Sequence, residues 1–239
     1  MTIETRLIEY THQNTVLEGY YACDDRQTGP RPLVLVAHAW GGRDAFVEQK
    51  ACQIAELGYA AFALDMYGKG VVGTDPAQNA RLMQPFMQDR AFLQARMQQA
   101  LQTARHLAGV DSSRIAALGF CFGGLCVLDL ARTGADLAGV VSFHGLFTPP
   151  GNTAGQRIRA KVLILHGHAD LMATPEQALV LARELTEAGA DWQLHLYGNT
   201  LHAFTNPRAN DRAFGTLYDA GAERRSFESL RNFLAEVLN

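Results

Sequence analysis

The chain has 239 residues, of which 48% are hydrophobic and 19% charged, with a formal net charge of −3. That length supports one large core, and 21 basic against 24 acidic residues gives no basic footprint for nucleic acid or an anionic membrane. No apolar run reaches the roughly 18 residues that cross a bilayer, and the charged opening "MTIETRLIEYTHQ" does not read as an export signal. The four cysteines, Cys23, Cys52, Cys121 and Cys126, form neither a C-x-x-C pair nor a disulfide framework, so a reducing cytoplasm is the expected location.

In chain order, "TIETRLIEY" and "TVLEGYYA" alternate apolar with polar residues and predict a pair of exposed N-terminal strands. Five near-continuous apolar runs follow: Leu33–Ala39, Ala60–Met66, Arg114–Phe120, Ala138–His144 and Lys161–Gly167. A strand that is apolar on both faces lies between two helix layers, and such strands are normally parallel. Helical periods fall between them, over Arg43–Leu57, Gln88–Leu107, Gly123–Arg132 and Pro175–Ala188. Thr174-Pro175-Glu176 reads as a cap with proline at the first helical position. Asp191–Tyr197 predicts a last strand and Gly221–Leu238 a closing helix. Lys69–Met87, with Gly70, Gly73, Pro76 and Pro85, is the least regular stretch and is expected to be a lid or substrate loop. No composition shift marks a boundary, so residues 1–239 read as a single α/β domain.

Ligands of such sheets sit beyond the carboxyl ends of the strands. Polar or glycine-rich residues gather there: His38-Ala39-Trp40-Gly41-Gly42, Asp65-Met66-Tyr67-Gly68, Cys121 and His166-Gly167-His168-Ala169-Asp170. Gly119-Phe120-Cys121-Phe122-Gly123 has the G-x-S-x-G spacing of a nucleophile elbow, with cysteine in the serine position. The glycines permit a tight strand-to-helix corner, and the helix N-terminus below it stabilises a thiolate and an oxyanion. Asp170, ending a buried run, and His202, in the loop "GNTLHAF" after the last strand, complete a Cys121–His202–Asp170 set of nucleophile, base and orienter. The oxyanion donors are expected to be the backbone N–H groups of Phe122 and Trp40.

The cysteine elbow, "HGHAD" and "LHAFTNP", in that order, resemble the dienelactone hydrolase family. The resemblance extends over nearly the whole chain. It implies an α/β-hydrolase fold: a mostly parallel sheet of about eight strands with helices on both faces. It further implies hydrolysis of an ester or lactone through a thiolate, with no metal and no organic cofactor. In that family a glutamate holds the resting cysteine as a thiol, at the position where this chain has Ala39. An arginine shortly after the catalytic histidine binds the substrate carboxylate, where this chain has Asn206. With Ala39 in place of the glutamate, the resting Cys121 is expected to pair with His202 as thiolate and imidazolium. The reaction class therefore carries over better than the substrate.

Other readings compete for these residues. Cys23, Cys52 and Cys126 read as core filler. His166, His168 and Asp170 offer an H-x-H-x-D pattern, but the triad already accounts for Asp170 and no metal is expected. His195, within a strand pattern, reads as structural. Tyr67, His144, Ala39, Asn206 and Arg81 are candidates for the substrate pocket; a structural hydrogen bond is an equal reading for Tyr67 and His144, and Arg81 reads rather as a solvated surface residue. A thioester or peptide hydrolase with the same triad, and a ligand-binding member of the fold without turnover, are the alternatives to an esterase. The sequence leaves the acyl and alcohol groups and the oligomeric state open.

Overall fold

A computed structural model of the protein describes residues 2–26 and 28–239. Strands β1 (Ile3–His12) and β2 (Thr15–Asp24) form an antiparallel ladder that sets Tyr10 opposite Leu17. Then come β3 (Arg31–Ala37), α1 (Ala45–Glu56), β4 (Ala60–Ala63), α2 (Pro76–Gln88), α3 (Arg90–Arg105) and β5 (Val110–Phe120). They are followed by α4 (Phe122–Arg132), β6 (Gly139–Phe143), β7 (Lys161–Gly167), α5 (Pro175–Glu187) and β8 (Trp192–Tyr197). A short hairpin of β9 (Asn210–Asp211) and β10 (Thr216–Leu217) precedes α6 (Ala220–Leu238).

The main sheet has eight strands in the order β1-β2-β4-β3-β5-β6-β7-β8. β2 meets β4 antiparallel, and every pairing from β4 through β8 is parallel. This is the α/β-hydrolase architecture. Its parallel strands are buried on both faces, which is why their sequences run apolar without alternation. Leu33, Leu35 and Ala37 of β3 pack on the face covered by α3, α4 and α5, whereas Val34 and Val36 pack on the face covered by α1 and α6. The same division recurs in β7, with Val162 and Ile164 on the first face and Leu163 and Leu165 on the second.

Side-chain caps fix the helix starts. Asp44 accepts from the N–H groups of Phe46 and Val47, both at 3.2 Å, at the start of α1. Thr174 opens α5 with Pro175 at the first helical position and a capping box completed by Gln177. The stretch Lys69–Met87 differs from the irregular loop expected of it. Asp75 accepts from Gln78 N–H at 2.8 Å and Pro76 occupies the first turn, so most of the segment is α2. Pro85 lies in the last turn of α2, where it leaves the Arg81 carbonyl without its intrahelical N–H donor.

Candidate active site

The corner between β5 and α4 is a single residue. Cys121 has φ 56° and ψ −116°, a conformation that a non-glycine residue adopts only when its surroundings enforce it. The flanking glycines show how. A Cβ on Gly119 would lie 2.1 Å from the Gly123 carbonyl oxygen, and one on Gly123 would lie 2.2 Å from that of Ala37. Strand, corner and helix thus approach closer than any side chain allows. The Cys121 N–H donates to Phe143 O at 3.0 Å, tying the corner to β6. Phe122 begins α4, so its N–H has no intrahelical acceptor.

His202 reaches the corner from the loop after β8. Its N–H donates to Gly215 O at 3.1 Å and its carbonyl accepts from Leu217 N–H at 3.1 Å, so the β9–β10 hairpin grips its backbone from both sides. The ring is 2% exposed, and Nδ1–H donates to Asp170 Oδ2 at 2.7 Å. Asp170 Oδ1 accepts from the N–H groups of Met172 at 2.8 Å and Ala173 at 3.1 Å. Burial acts against the Asp170 carboxylate, yet His202, His166 and the Met172 N–H together hold it below its ordinary value. Burial likewise pulls His202 down. A negative charge on Cys121 and the bond to Asp170 outweigh it and push His202 up to about 10. Its Nε2 has no hydrogen-bond partner among the described residues. Cys126, one turn along α4, is fully buried, and that burial raises its thiol well above the usual range.

These residues open onto a cavity of about 550 Å³. Its walls are largely apolar, with Trp40, Phe46, Phe120, Leu146, Met172 and Phe214 prominent. Ala39, His144 and Asn206 line it; Tyr67 and Arg81 do not. Arg81 is exposed on α2, and Tyr67 lies behind the lining with its hydroxyl donating to Trp40 O at 2.9 Å. His144 is 2% exposed, with Nε2 and Thr205 Oγ1 hydrogen-bonded at 2.8 Å and its ring edge-on to His202 at 5.1 Å. Burial and the neighbouring His202 and His166 keep it well below its ordinary pKa, and therefore neutral. His195 is apart from this group, bonded through Nδ1 to Ser229 Oγ at 3.2 Å. Among the described residues, no three His, Cys, Asp or Glu side chains are grouped as a metal site.

Three contributors had no signal in the sequence reading. Arg208 lines the cavity, two residues beyond the Asn206 expected in its place. Phe214, from the turn of the β9–β10 hairpin, stacks on Trp40 at 5.8 Å and 20°. Thr205 anchors His144. All three belong to the region after His202, whose short strands carry no periodicity to read. A larger hollow of about 690 Å³ lies elsewhere, near the ends of α4 and α5. Its buried Arg132 is already paired with Asp129 and Glu184, and it holds no nucleophile.

No helix among the described residues is long and apolar enough to cross a membrane. The model of the dienelactone hydrolase family matches residues 17–238. A putative carboxymethylenebutenolidase of Aquifex aeolicus is 23% identical over 240 residues, covering 98% of this chain and 99% of its own. The carboxymethylenebutenolidase of Pseudomonas putida is 26% identical over 215 residues, 87% of each chain. Among solved structures, a dienelactone hydrolase-like promiscuous phosphotriesterase from metagenomic libraries is 37% identical with a TM-score of 0.93, covering 99% of both chains. The structure named m3DLH is also 37% identical, with a TM-score of 0.94 and the same coverage. With its elbow, its sheet order and a family match over nearly its full length, the chain belongs to the dienelactone hydrolase family of α/β-hydrolases.

Proposed function

We propose that the protein is a cytoplasmic carboxylic ester hydrolase that cleaves a small ester or lactone through an acyl-cysteine intermediate, with Cys121, His202 and Asp170 as its triad. The observation that carries this reading is the buried His202–Asp170 pair, bonded at 2.7 Å, beside a cysteine held at φ 56° on a helix N-terminus. Relatives named carboxymethylenebutenolidase support the lactone or ester class.

The Cys121 thiolate attacks the carbonyl carbon, and the carbonyl π pair moves onto oxygen. The N–H groups of Phe122 and Trp40 receive that oxyanion. Collapse re-forms the carbonyl and expels the alkoxide, which takes the proton from His202 Nε2. The charge on sulfur disappears in the thioester, and with it the largest upward influence on His202. Burial then favours the neutral ring. That ring takes a proton from water, whose hydroxide attacks the thioester. The second tetrahedral intermediate releases the acid and restores the thiolate beside the imidazolium. His202 is thus the acid of acylation and the base of deacylation, and the sulfur charge sets which.

The apolar cavity takes the hydrocarbon part of the substrate, and Arg208 at its exposed rim faces any carboxylate the substrate carries. Replacement of Cys121 by alanine should abolish hydrolysis of an aryl ester in a folded protein, whereas Cys126→Ala should retain it. Steady turnover of that ester by the parent separates an enzyme from a ligand-binding member of the fold. Undiminished hydrolysis by Cys121→Ala would overturn the proposal.

A further inference from the structure

Trp40 follows β3 in the turn Ala39–Gly42, closed by Gly42 N–H donating to Ala39 O at 3.2 Å. Its own N–H has no protein acceptor among the described residues. A lone N–H in a glycine-rich turn is aimed only if the peptide plane is held, and here one side chain holds that plane and a second holds the next. His38 is fully buried and accepts from Met66 N–H through Nε2 at 3.2 Å. In a neutral ring that leaves the proton on Nδ1, which lies 2.6 Å from Ala39 O and donates to it. No peptide bond among the described residues is cis, so the Trp40 N–H points opposite to the Ala39 carbonyl across one rigid plane. Fixing that carbonyl on one side fixes the donor direction on the other. The next plane is held as well, since Tyr67 Oη–H donates to Trp40 O at 2.9 Å.

The supports of these two side chains are themselves fixed. Tyr67 N–H and Gly68 N–H donate to Asp65 Oδ1, at 2.8 and 3.0 Å, in the loop after β4. The Tyr67 ring meets His38 edge-on at 4.9 Å and stacks on Phe122 at 6.1 Å. One cluster therefore braces Trp40 and Phe122 from β4, the strand beside β3. Neither His38 nor Tyr67 lines the cavity, so neither touches substrate.

We propose that His38, with Tyr67, is a positioning residue that aims the Trp40 N–H at the oxyanion, acting through the Ala39 and Trp40 carbonyl oxygens. The inference rests on the cysteine-hydrolase reading above. His38 must be neutral to hold the proton on Nδ1 and a lone pair on Nε2 together, and its complete burial favours that form.

Two amide variants separate the two bonds of the ring. The amide nitrogen of His38→Asn overlays Nδ1 and retains the donor to Ala39 O, while Met66 N–H loses its acceptor. The longer amide of His38→Gln reaches the Nε2 position, serves Met66 and leaves Ala39 O unbound. His38→Gln should lower kcat for an aryl ester by about 10²-fold, the scale of a lost oxyanion donor, with little change in KM. His38→Asn should recover most of that loss. Tyr67→Phe keeps the ring and removes only the bond to Trp40 O, and should lower kcat by about tenfold.

Two further readouts exclude a merely structural effect. Iodoacetamide alkylates Cys121 by displacement at a saturated carbon, with no oxyanion formed, so its rate should be the same in His38→Gln as in the parent. A trifluoromethyl ketone, which binds as a tetrahedral adduct with an oxyanion, should weaken in proportion to the fall in kcat/KM. Parent-like kcat in both His38→Gln and Tyr67→Phe would overturn the inference, as would loss of alkylation in step with kcat. If His38→Gln does not fold, Tyr67→Phe decides alone by the same two readouts. Retained hydrolysis in Cys121→Ala would instead refute the underlying reading, so the two failures are distinguishable.

Discussion

At the scale of single residues, the site depends on charge held in a dry place. Asp170 is almost fully buried and uses both oxygens, one for His202 and one for the Met172 and Ala173 N–H groups. Asp170→Asn keeps the shape but presents an amide where His202 needs an acceptor, and turnover should fall by on the order of 10⁴ with the fold intact. Steady-state rates alongside a thermal melt check both halves of that statement. The pH dependence follows from His202. If the resting Cys121 is the thiolate, as the proposed mechanism has it, it pairs with an imidazolium that keeps its proton until about pH 10. Iodoacetamide should therefore alkylate Cys121 as rapidly at mildly acidic as at mildly alkaline pH. A rate that rises only near the pKa of an ordinary thiol, about 8.5, would contradict the pairing. Ala39→Glu should slow alkylation, because a carboxylate there opposes ionisation of the thiol; among the lining residues the one carboxylate is the exposed Asp211, already bonded to Phe214 N–H at 2.9 Å.

At the scale of elements, the elbow is a contact between backbones. Gly123→Ala places a methyl group 2.2 Å from Ala37 O and 2.6 Å from His38 O, forcing α4 away from β3. It should cost about 3 kcal/mol or more, read as a shift of the urea midpoint, and should disturb both oxyanion donors at once. This corner was legible because its chemistry and its geometry demand the same five residues in a row. The Asp170–His202 pair was legible because each follows a segment that reads as a strand. The helix α2 was misread as loop: Asp75-Pro76 is a helix-start signal, outweighed there by Gly70, Gly73 and Pro85. The β9–β10 hairpin left no trace, since two-residue strands have no period, although it fixes the backbone of His202. The support from His38 and Tyr67 was equally hidden, because those bonds join the turn after β3 to the loop after β4 across 28 and 27 positions of sequence.

At the scale of the whole molecule, continuous apolar runs revealed a two-faced parallel sheet before any contact was known. Strand order was not written in them, because β3 lies between β4 and β5 by crossover, not by sequence adjacency. Away from the site, a buried ionic group ties α3, α4 and α5 together. Asp129 accepts two bonds from Arg90 at 2.7 Å and one from Arg132 at 3.0 Å, and Arg132 also reaches Glu184. Asp129→Asn leaves Arg90 without its carboxylate in the interior and Arg132 with Glu184 alone, and should lower stability by about 3 to 5 kcal/mol in urea unfolding without changing turnover per folded molecule. The proposed reaction requires an acyl group carried by Cys121. The most direct test is peptide mapping by mass spectrometry of His202→Ala after exposure to an activated aryl ester, a variant that acylates slowly and lacks the base for deacylation. One acyl mass should be added to the peptide containing Cys121, and to no other. An unmodified Cys121 peptide, or the acyl group found elsewhere, would contradict that reaction.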